Sequence, residues 1–293
     1  MHTSTSVKNA VHTHSSPQAM PQAKPLIRAF DLINLGIDFE AYRGEVWSNS
    51  WDMEEDLYFL RRQQMAFLQN AMGIIIPEQP QEEFYTTGTS QLVERLFSFL
   101  DEEQAREYSQ IKASRTRTIA QYSIDSNSLF VNRIASKDSR KNSHCQNKLL
   151  CLPRSFRELD DSIAMHKSTL KIMRWAAEKI FKRRPECQKL MVTFHIVNTY
   201  CYPEKPFVIP EKIHQDGSDY VITGIPLILS NVVIPINTVY DTEGRMVVEA
   251  RLTEAQGMLV DDKTFWHGIT PLTASEADKT GQRLTIAFDF DCV

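Results

Sequence analysis

The sequence lacks a long uninterrupted hydrophobic run, although 42% of its 293 residues are hydrophobic. The most apolar window, residues 220–236, is broken by polar residues, glycine and proline. A membrane-spanning helix needs about 20 nearly unbroken apolar residues, so we expect no membrane partner. Residues 1–30 also lack the apolar core of a secretory signal peptide, whereas their few basic residues leave a transit peptide open.

An excess of positive charge is lacking as well, with 33 Lys and Arg against 37 Asp and Glu. Nucleic-acid-binding domains present a strongly basic face, so we expect no nucleic-acid partner. Cysteine is scarce: the chain has five, widely spread and without a C-x-x-C pair. This usage argues against a disulfide framework and makes a reducing cytoplasm the simplest location.

The residues that are present divide the chain into three predicted regions. Residues 1–24 are small and polar and are expected to form a disordered tail. Residues 25–185 are expected to be rich in helix, with the first strands of the core at about 116–134. Residues 186–293 consist of short β-branched and aromatic runs separated by turn residues, as in an antiparallel sandwich or jelly roll. The predicted class is therefore α+β, with helices first and a jelly-roll core last.

Three helices are predicted in the helix-rich region, over about 50–73, 90–111 and 155–184. The third begins with the capping box of Ser155 and Glu158 and has the most regular apolar periodicity. His166 lies on its apolar stripe, where a hydrogen-bonded core histidine is a better interpretation than a metal ligand.

A polar, basic loop is predicted over residues 135–148. His144, Cys145 and Cys151 are close in sequence there. Structural zinc needs four ligands, and only three are at hand, so we do not predict a zinc site.

The residues that suggest chemistry begin with His214 and Asp216, which are two positions apart. Side chains at that spacing on a strand point to one side and can reach one metal ion. The pattern alone is weak, but His267 follows a predicted strand 53 residues later. In a jelly roll that strand can return beside the first. Two histidines and one carboxylate form the facial triad that selects non-haem Fe(II) and leaves positions for substrate and oxygen.

Arg283 is a single cation inside the apolar strand that ends the chain. A buried arginine is costly without an anion, and its planar fork fits a carboxylate. Thr285 follows on the same strand face and could donate a second hydrogen bond. The pair predicts a receptor for the distal carboxylate of 2-oxoglutarate, and the alternative for Arg283 is a salt bridge at the strand end.

At these motifs the sequence resembles bacterial Fe(II)/2-oxoglutarate dioxygenases, most of all the L-isoleucine dioxygenase group. The likeness covers about residues 190–290 and rests on H-x-D-G, on a distal histidine in L-V-D-D-x-x-x-x-H-G-I-T-P, and on G-x-R before the last strand. It implies that His214, Asp216 and His267 bind iron and that Arg283 binds 2-oxoglutarate. It also implies hydroxylation of an unactivated C–H bond of a free aliphatic L-amino acid with O₂, giving succinate and CO₂.

Two departures from the group's pattern concern the substrate. Asn198 stands where the group has an arginine, and Ile234-Pro235-Ile236 stands where it usually has a Gly-Gly pair. Asn198, Asp219 and Asn231 are candidate substrate contacts. Two alternatives stay open: the same chemistry on another small biosynthetic intermediate, and a catalytically silent metal-binding jelly roll. The sequence leaves the oligomeric state unknown.

Overall fold

The computed structural model describes residues 25–50, 53–135, 156–203 and 213–293. The predicted tail, the capping serine at position 155 and most of the basic loop lie outside the described residues. The helices are α1 (Phe39–Ser48), α2 (Leu57–Met72), α3 (Glu78–Thr87), α4 (Gln91–Phe97), α5 (Glu102–Ser109), α6 (Asp161–Ala164) and α7 (Lys167–Arg183). The strands are β1 (Ile27–Asp31), β2 (Glu54–Glu55), β3 (Arg115–Asp125), β4 (Val131–Ile134), β5 (Lys189–Cys201), β6 (Tyr220–Ser230), β7 (Ile236–Tyr240), β8 (Met246–Arg251), β9 (Gln256–Asp261), β10 (Trp266–Ile269) and β11 (Gly281–Cys292).

Two antiparallel sheets form the core. The larger has the order β1-β9-β6-β11-β5-β3-β2, with β4 also paired to β3, and the smaller has the order β10-β7-β8. Apolar side chains from both sheets, among them Val221, Val239 and Met258, pack into one cluster. The predicted α+β class with a jelly-roll core is confirmed. Strands β1 and β3 from the helix-rich region belong to the large sheet, and the boundary at 185/186 stays a prediction.

Strand alternation decides which side chains face the helices. On β5 and β11 the even-numbered residues, such as Phe194 and Phe288, pack in one large cluster with Tyr42 of α1 and Ile172 of α7. Successive side chains on a strand point to opposite faces. The odd-numbered residues of both strands therefore point away from α7, toward the space between the two sheets.

The helix boundaries differ from the prediction where a local cap decides them. Helix α2 begins after Asp56, whose carboxylate accepts the Phe59 N–H at 3.4 Å, so Ser50 is not its cap. The single helix expected over 90–111 is two helices, because Asp101 and Gln104 form a capping box that starts α5. His166 caps α7 through its Nδ1 atom and stacks on Tyr42, so the hydrogen-bonded interpretation fits better than a metal ligand.

A disulfide joins Cys187 to Cys292, which the cysteine count did not anticipate. The antiparallel pairing of β5 with β11 places Leu190 opposite Cys292 and so brings together two cysteines 105 residues apart. Cys201 is a buried free thiol. Among the described residues, no helix has the length and apolarity required to cross a membrane.

Candidate active site

A cavity of about 190 Å³ lies between the two sheets. Its floor is formed by odd-numbered residues of three adjacent strands, β3, β5 and β11, and its opposite side by residues of the small sheet and of the segment before β6. The charged or titratable side chains that line it are Arg115, Arg117, His195, His214, Asp216, His267, Arg283 and Asp289. The alternation of the strands therefore collects polar side chains in the interior of an otherwise apolar core.

His214, Asp216 and His267 meet in this cavity. One ligand atom from each lies within 4.8 Å of those of the other two. His214 and His267 form an isolated antiparallel bridge with reciprocal backbone hydrogen bonds of 2.8 Å. Oxygens of Asp216 lie 3.7 Å from Nε2 of His214 and 3.3 Å from Nε2 of His267. The three predicted ligands are thus brought together in an arrangement able to bind a metal ion, and the donor set suits non-haem Fe(II).

Asp262 supports this triad from behind. Its buried carboxylate accepts the backbone N–H groups of Asp216, Gly217 and Ser218 at 3.1, 2.8 and 3.2 Å. The turn requires Gly217, whose φ is +86°. The same carboxylate lies 3.2 Å from Nε2 of His267. Asp262 therefore orients two of the three ligands, as outer partners of metal ligands commonly do.

The electrostatics of the triad favour a cation. Burial lowers the pKa of His267, but hydrogen bonds and charge from Asp216 and Asp262 outweigh that effect and raise the pKa to about 10. Two carboxylates thus converge on one imidazole that is 12% exposed. A metal ion at this position would replace the proton that the raised pKa keeps on the His267 imidazole, as expected of a metal site.

We expect Asp262→Asn to lower the affinity for Fe(II) or Mn(II) by about 10- to 100-fold, the usual cost of losing an outer-shell partner. The amide nitrogen would face backbone N–H donors in place of an acceptor. Metal affinity measured by chelator competition checks this. Asp241→Asn, in an exposed turn after β7, is the matched control, and equal affinities of the two variants would contradict the role.

Arg283 lies on β11 and lines the same cavity. Its Nη2 atom donates to the Gly224 carbonyl at 3.3 Å, and its buried Nε atom has no hydrogen-bond partner among the described residues. Burial lowers its pKa to about 10. No described carboxylate forms an ion pair with it, so the alternative of a strand-end salt bridge is not seen in the described part of the chain. A buried, uncompensated guanidinium facing a cavity fits an anionic ligand.

The surroundings of Arg283 leave room for such a ligand. A Cβ atom on Gly224 would lie 3.4 Å from Oγ1 of Thr285 and 3.5 Å from Nη2 of Arg283, so glycine keeps this space open. Thr223 contributes a buried hydroxyl that has no hydrogen-bond partner among the described residues. The Thr285 hydroxyl lines the same cavity but donates to the Val197 carbonyl at 3.3 Å.

Three polar residues of the cavity were not predicted as a set. Arg117 contacts Nδ1 of His195 at 2.7 Å, and Nε2 of His195 lies 2.9 Å from Asp289. The sequence signal was available in part: Asp289 is six residues after Arg283 on one strand and so faces the same side. The signal for Arg117 lies in the pairing of β3 with β5 and of β5 with β11, which is not readable from the sequence.

The three candidate substrate contacts do not line the cavity. Asn198 lies on the other face of β5, where it donates to the Tyr200 hydroxyl at 2.7 Å. Asp219 forms an ion pair with Lys263 and accepts the Cys292 N–H. Asn231 holds a turn by accepting the Glu276 N–H at 2.8 Å. Strand alternation and the path of the turn explain why residues near the motifs in sequence point elsewhere.

Comparisons with known proteins agree with this site. A family model described as 2OG-Fe dioxygenase matches residues 75–289. The structure is similar to that of IDO from Bacillus thuringiensis, with 18% identity, a TM-score of 0.52, and coverage of 87% of this chain and 100% of that one. It is also similar to a bsmA homolog from Methylobium petroleophilum PM1, with 16% identity, a TM-score of 0.54, and coverage of 78% and 86%. At these identities the likeness shows the fold alone. No curated protein matches the chain.

Proposed function

The chain belongs to the 2OG-Fe dioxygenase family, and we propose that it hydroxylates an unactivated C–H bond of a free aliphatic L-amino acid similar to isoleucine. It is a dioxygenase that uses Fe(II), 2-oxoglutarate and O₂. The observation that carries the proposal is one cavity lined by His214, Asp216 and His267 and by Arg283, with which no described carboxylate forms an ion pair. The motif resemblance around His214 and His267 supports the amino-acid substrate.

Each residue has a separate role in this proposal. His214, Asp216 and His267 would hold Fe(II), and Arg283 would bind the distal carboxylate of 2-oxoglutarate, with Thr285 beside it. When bound, iron, 2-oxoglutarate and O₂ supply the oxidising power. One oxygen atom enters the C–H bond, the other enters succinate, and CO₂ is released. The protein orients the C–H bond and excludes water from the site.

Succinate formation tests the proposal directly. We expect protein loaded with Fe(II), 2-oxoglutarate and ascorbate to form succinate together with a product heavier by one oxygen atom, on one or a few of the twenty L-amino acids. Mass spectrometry of the product and of succinate measures both.

A matched control is the same reaction with zinc in place of Fe(II), because zinc cannot exchange electrons. Succinate without any oxygenated amino acid would keep the dioxygenase and contradict the amino-acid substrate. Product formation that persists with zinc would contradict the iron chemistry.

A cytoplasmic location is also part of the proposal, as the cysteine usage predicts. The disulfide between Cys187 and Cys292 is the observation against it, because disulfides are rare in reducing compartments. Alkylation traps the redox state of Cys187 and Cys292 in protein isolated from its natural compartment. Free thiols would support a cytoplasmic location, and an intact disulfide would contradict it.

A further inference from the structure

We propose that Arg117 and Asp289, held on either side of His195, bind the carboxylate and the ammonium group of the amino-acid substrate. The inference rests on the proposed function and assigns the charged ends of its substrate to named residues. It starts from the three side chains that join β3, β5 and β11 across the floor of the cavity.

Arg117, His195 and Asp289 form a row of side chains across the floor of the cavity. The arginine determines which atom donates and which accepts in each hydrogen bond of this row. A guanidinium only donates, so Nδ1 of His195 accepts from Nε and Nη2 of Arg117, at 3.2 and 2.7 Å. The imidazole proton then sits on Nε2 and is donated to the Asp289 carboxylate at 2.9 Å. His195 is 3% exposed. A neutral imidazole thus holds a cation and an anion at a set separation, with both side chains on the cavity wall.

The row lines the same cavity as His214, Asp216 and His267. Asp219, three residues after the ligand Asp216, donates its backbone N–H to the Phe290 carbonyl at 3.1 Å. The segment that follows Asp216 is therefore bonded to the part of β11 that carries Asp289. Arg283 is six residues earlier on β11, so at about 3.3 Å per residue the two Cα atoms are ~20 Å apart. Its guanidinium reaches the Gly224 carbonyl, which lies between these two positions. A five-carbon diacid that reaches from Arg283 to the metal leaves the row for a different ligand.

Charge indicates what that ligand is. A positive and a negative side chain are both held against one cavity, and a free amino acid offers a carboxylate and an ammonium group on adjacent atoms. Charge-assisted hydrogen bonds to both would orient the α-carbon rigidly. The apolar lining residues Phe59, Ile269 and Leu272 leave space for an aliphatic side chain. A compound with only one of the two charges would form only one of the two contacts.

The experiment pairs variants of the protein with variants of the ligand. Binding is measured by calorimetry on full-length protein loaded with Mn(II) and 2-oxoglutarate, so that no turnover is needed. The probes are L-isoleucine, the 2-hydroxy acid that lacks its ammonium group, and 2-methylbutylamine, which lacks its carboxylate. We expect wild type to bind L-isoleucine at least about tenfold more tightly than either analogue.

Each variant should remove one preference only. Asp289→Asn is expected to weaken the binding of L-isoleucine by about tenfold or more and to leave the affinity for the 2-hydroxy acid nearly unchanged. Arg117→Gln is expected to weaken the binding of L-isoleucine by a similar factor and to leave the affinity for 2-methylbutylamine nearly unchanged. Asp278→Asn and Arg28→Gln, at exposed positions, are the matched controls. Restored carboxylate preference in Arg117→Lys would add support, since lysine keeps the charge.

A purely structural row would behave differently. If Asp289→Asn and Arg117→Gln weaken all three probes by the same factor, the row only shapes the wall, and the inference is overturned while the proposed function stands. If wild type binds 2-oxoglutarate but neither L-isoleucine nor any other amino acid of the panel, the substrate class fails and the inference fails with it. Asp289→Ser replaces Asp289→Asn if the latter does not fold.

Discussion

Replacing His267 by alanine is expected to abolish metal binding and reduce succinate formation by more than about 100-fold. Even an outer partner of a metal ligand is worth about 10- to 100-fold, and His267 is one of only three side chains whose donor atoms meet in the triad. Two ligands, His214 and Asp216, would remain on one turn. Iron content after dialysis, measured by elemental mass spectrometry, and succinate yield are the two readouts.

His166→Ala provides the matched control for this change. His166 caps α7, contacts Glu45 at 3.1 Å, and has no part in the cavity. We expect that variant to keep its iron and its succinate yield while losing some thermal stability, because a helix cap contributes about 1 kcal/mol. Retention of stoichiometric iron in His267→Ala would remove His267 from the ligand set.

Replacing Arg283 by methionine is expected to have opposite effects on ligand binding and on stability. Loss of a charge-assisted bidentate contact should raise the dissociation constant for 2-oxoglutarate by about 10- to 100-fold, since such hydrogen bonds contribute about 1.5–3 kcal/mol. The structural basis is the buried guanidinium, whose only described acceptor is the Gly224 carbonyl. Calorimetry of 2-oxoglutarate binding to the Mn(II)-loaded protein measures the change.

The same substitution should stabilise the protein without ligand. Burial lowers the pKa of Arg283 to about 10, and no described carboxylate forms an ion pair with it. Replacing buried charges by apolar side chains of similar volume can stabilise a protein by about 1–4 kcal/mol. At about 2–4 °C per kcal/mol, we expect the melting temperature to rise by roughly 2–16 °C. A melting temperature that falls, with unchanged 2-oxoglutarate affinity, would make Arg283 a structural residue.

Thr285→Val ranks the second predicted contact against the first. The Thr285 hydroxyl donates to the Val197 carbonyl, so a ligand would have to compete for that proton. We therefore expect a loss in 2-oxoglutarate affinity of less than about tenfold, smaller than for Arg283→Met. An equal or larger loss would make the hydroxyl the main anchor.

The sequence by itself determined the parts of this protein whose signal is local. Alternating and β-branched runs predicted the long strands, because side-chain period follows directly from strand geometry. The spacing of His214 and Asp216 puts two ligands on one turn, and an arginine inside an apolar strand calls for an anion. Residue type and spacing alone indicate the chemistry here, and so the fold class and the metal triad could be predicted.

Only the tertiary structure decided what depends on strand pairing over long separations. The register of β3 with β5 and of β5 with β11 joins Arg117, His195 and Asp289, although the first and last are 172 positions apart in the printed sequence. The same pairing brings Cys187 to Cys292, against the expectation from cysteine count. Asn198 points away from the cavity because it has the even position on its strand. Pairing energy is distributed over whole strands, so the partner of a strand cannot be predicted from any single residue.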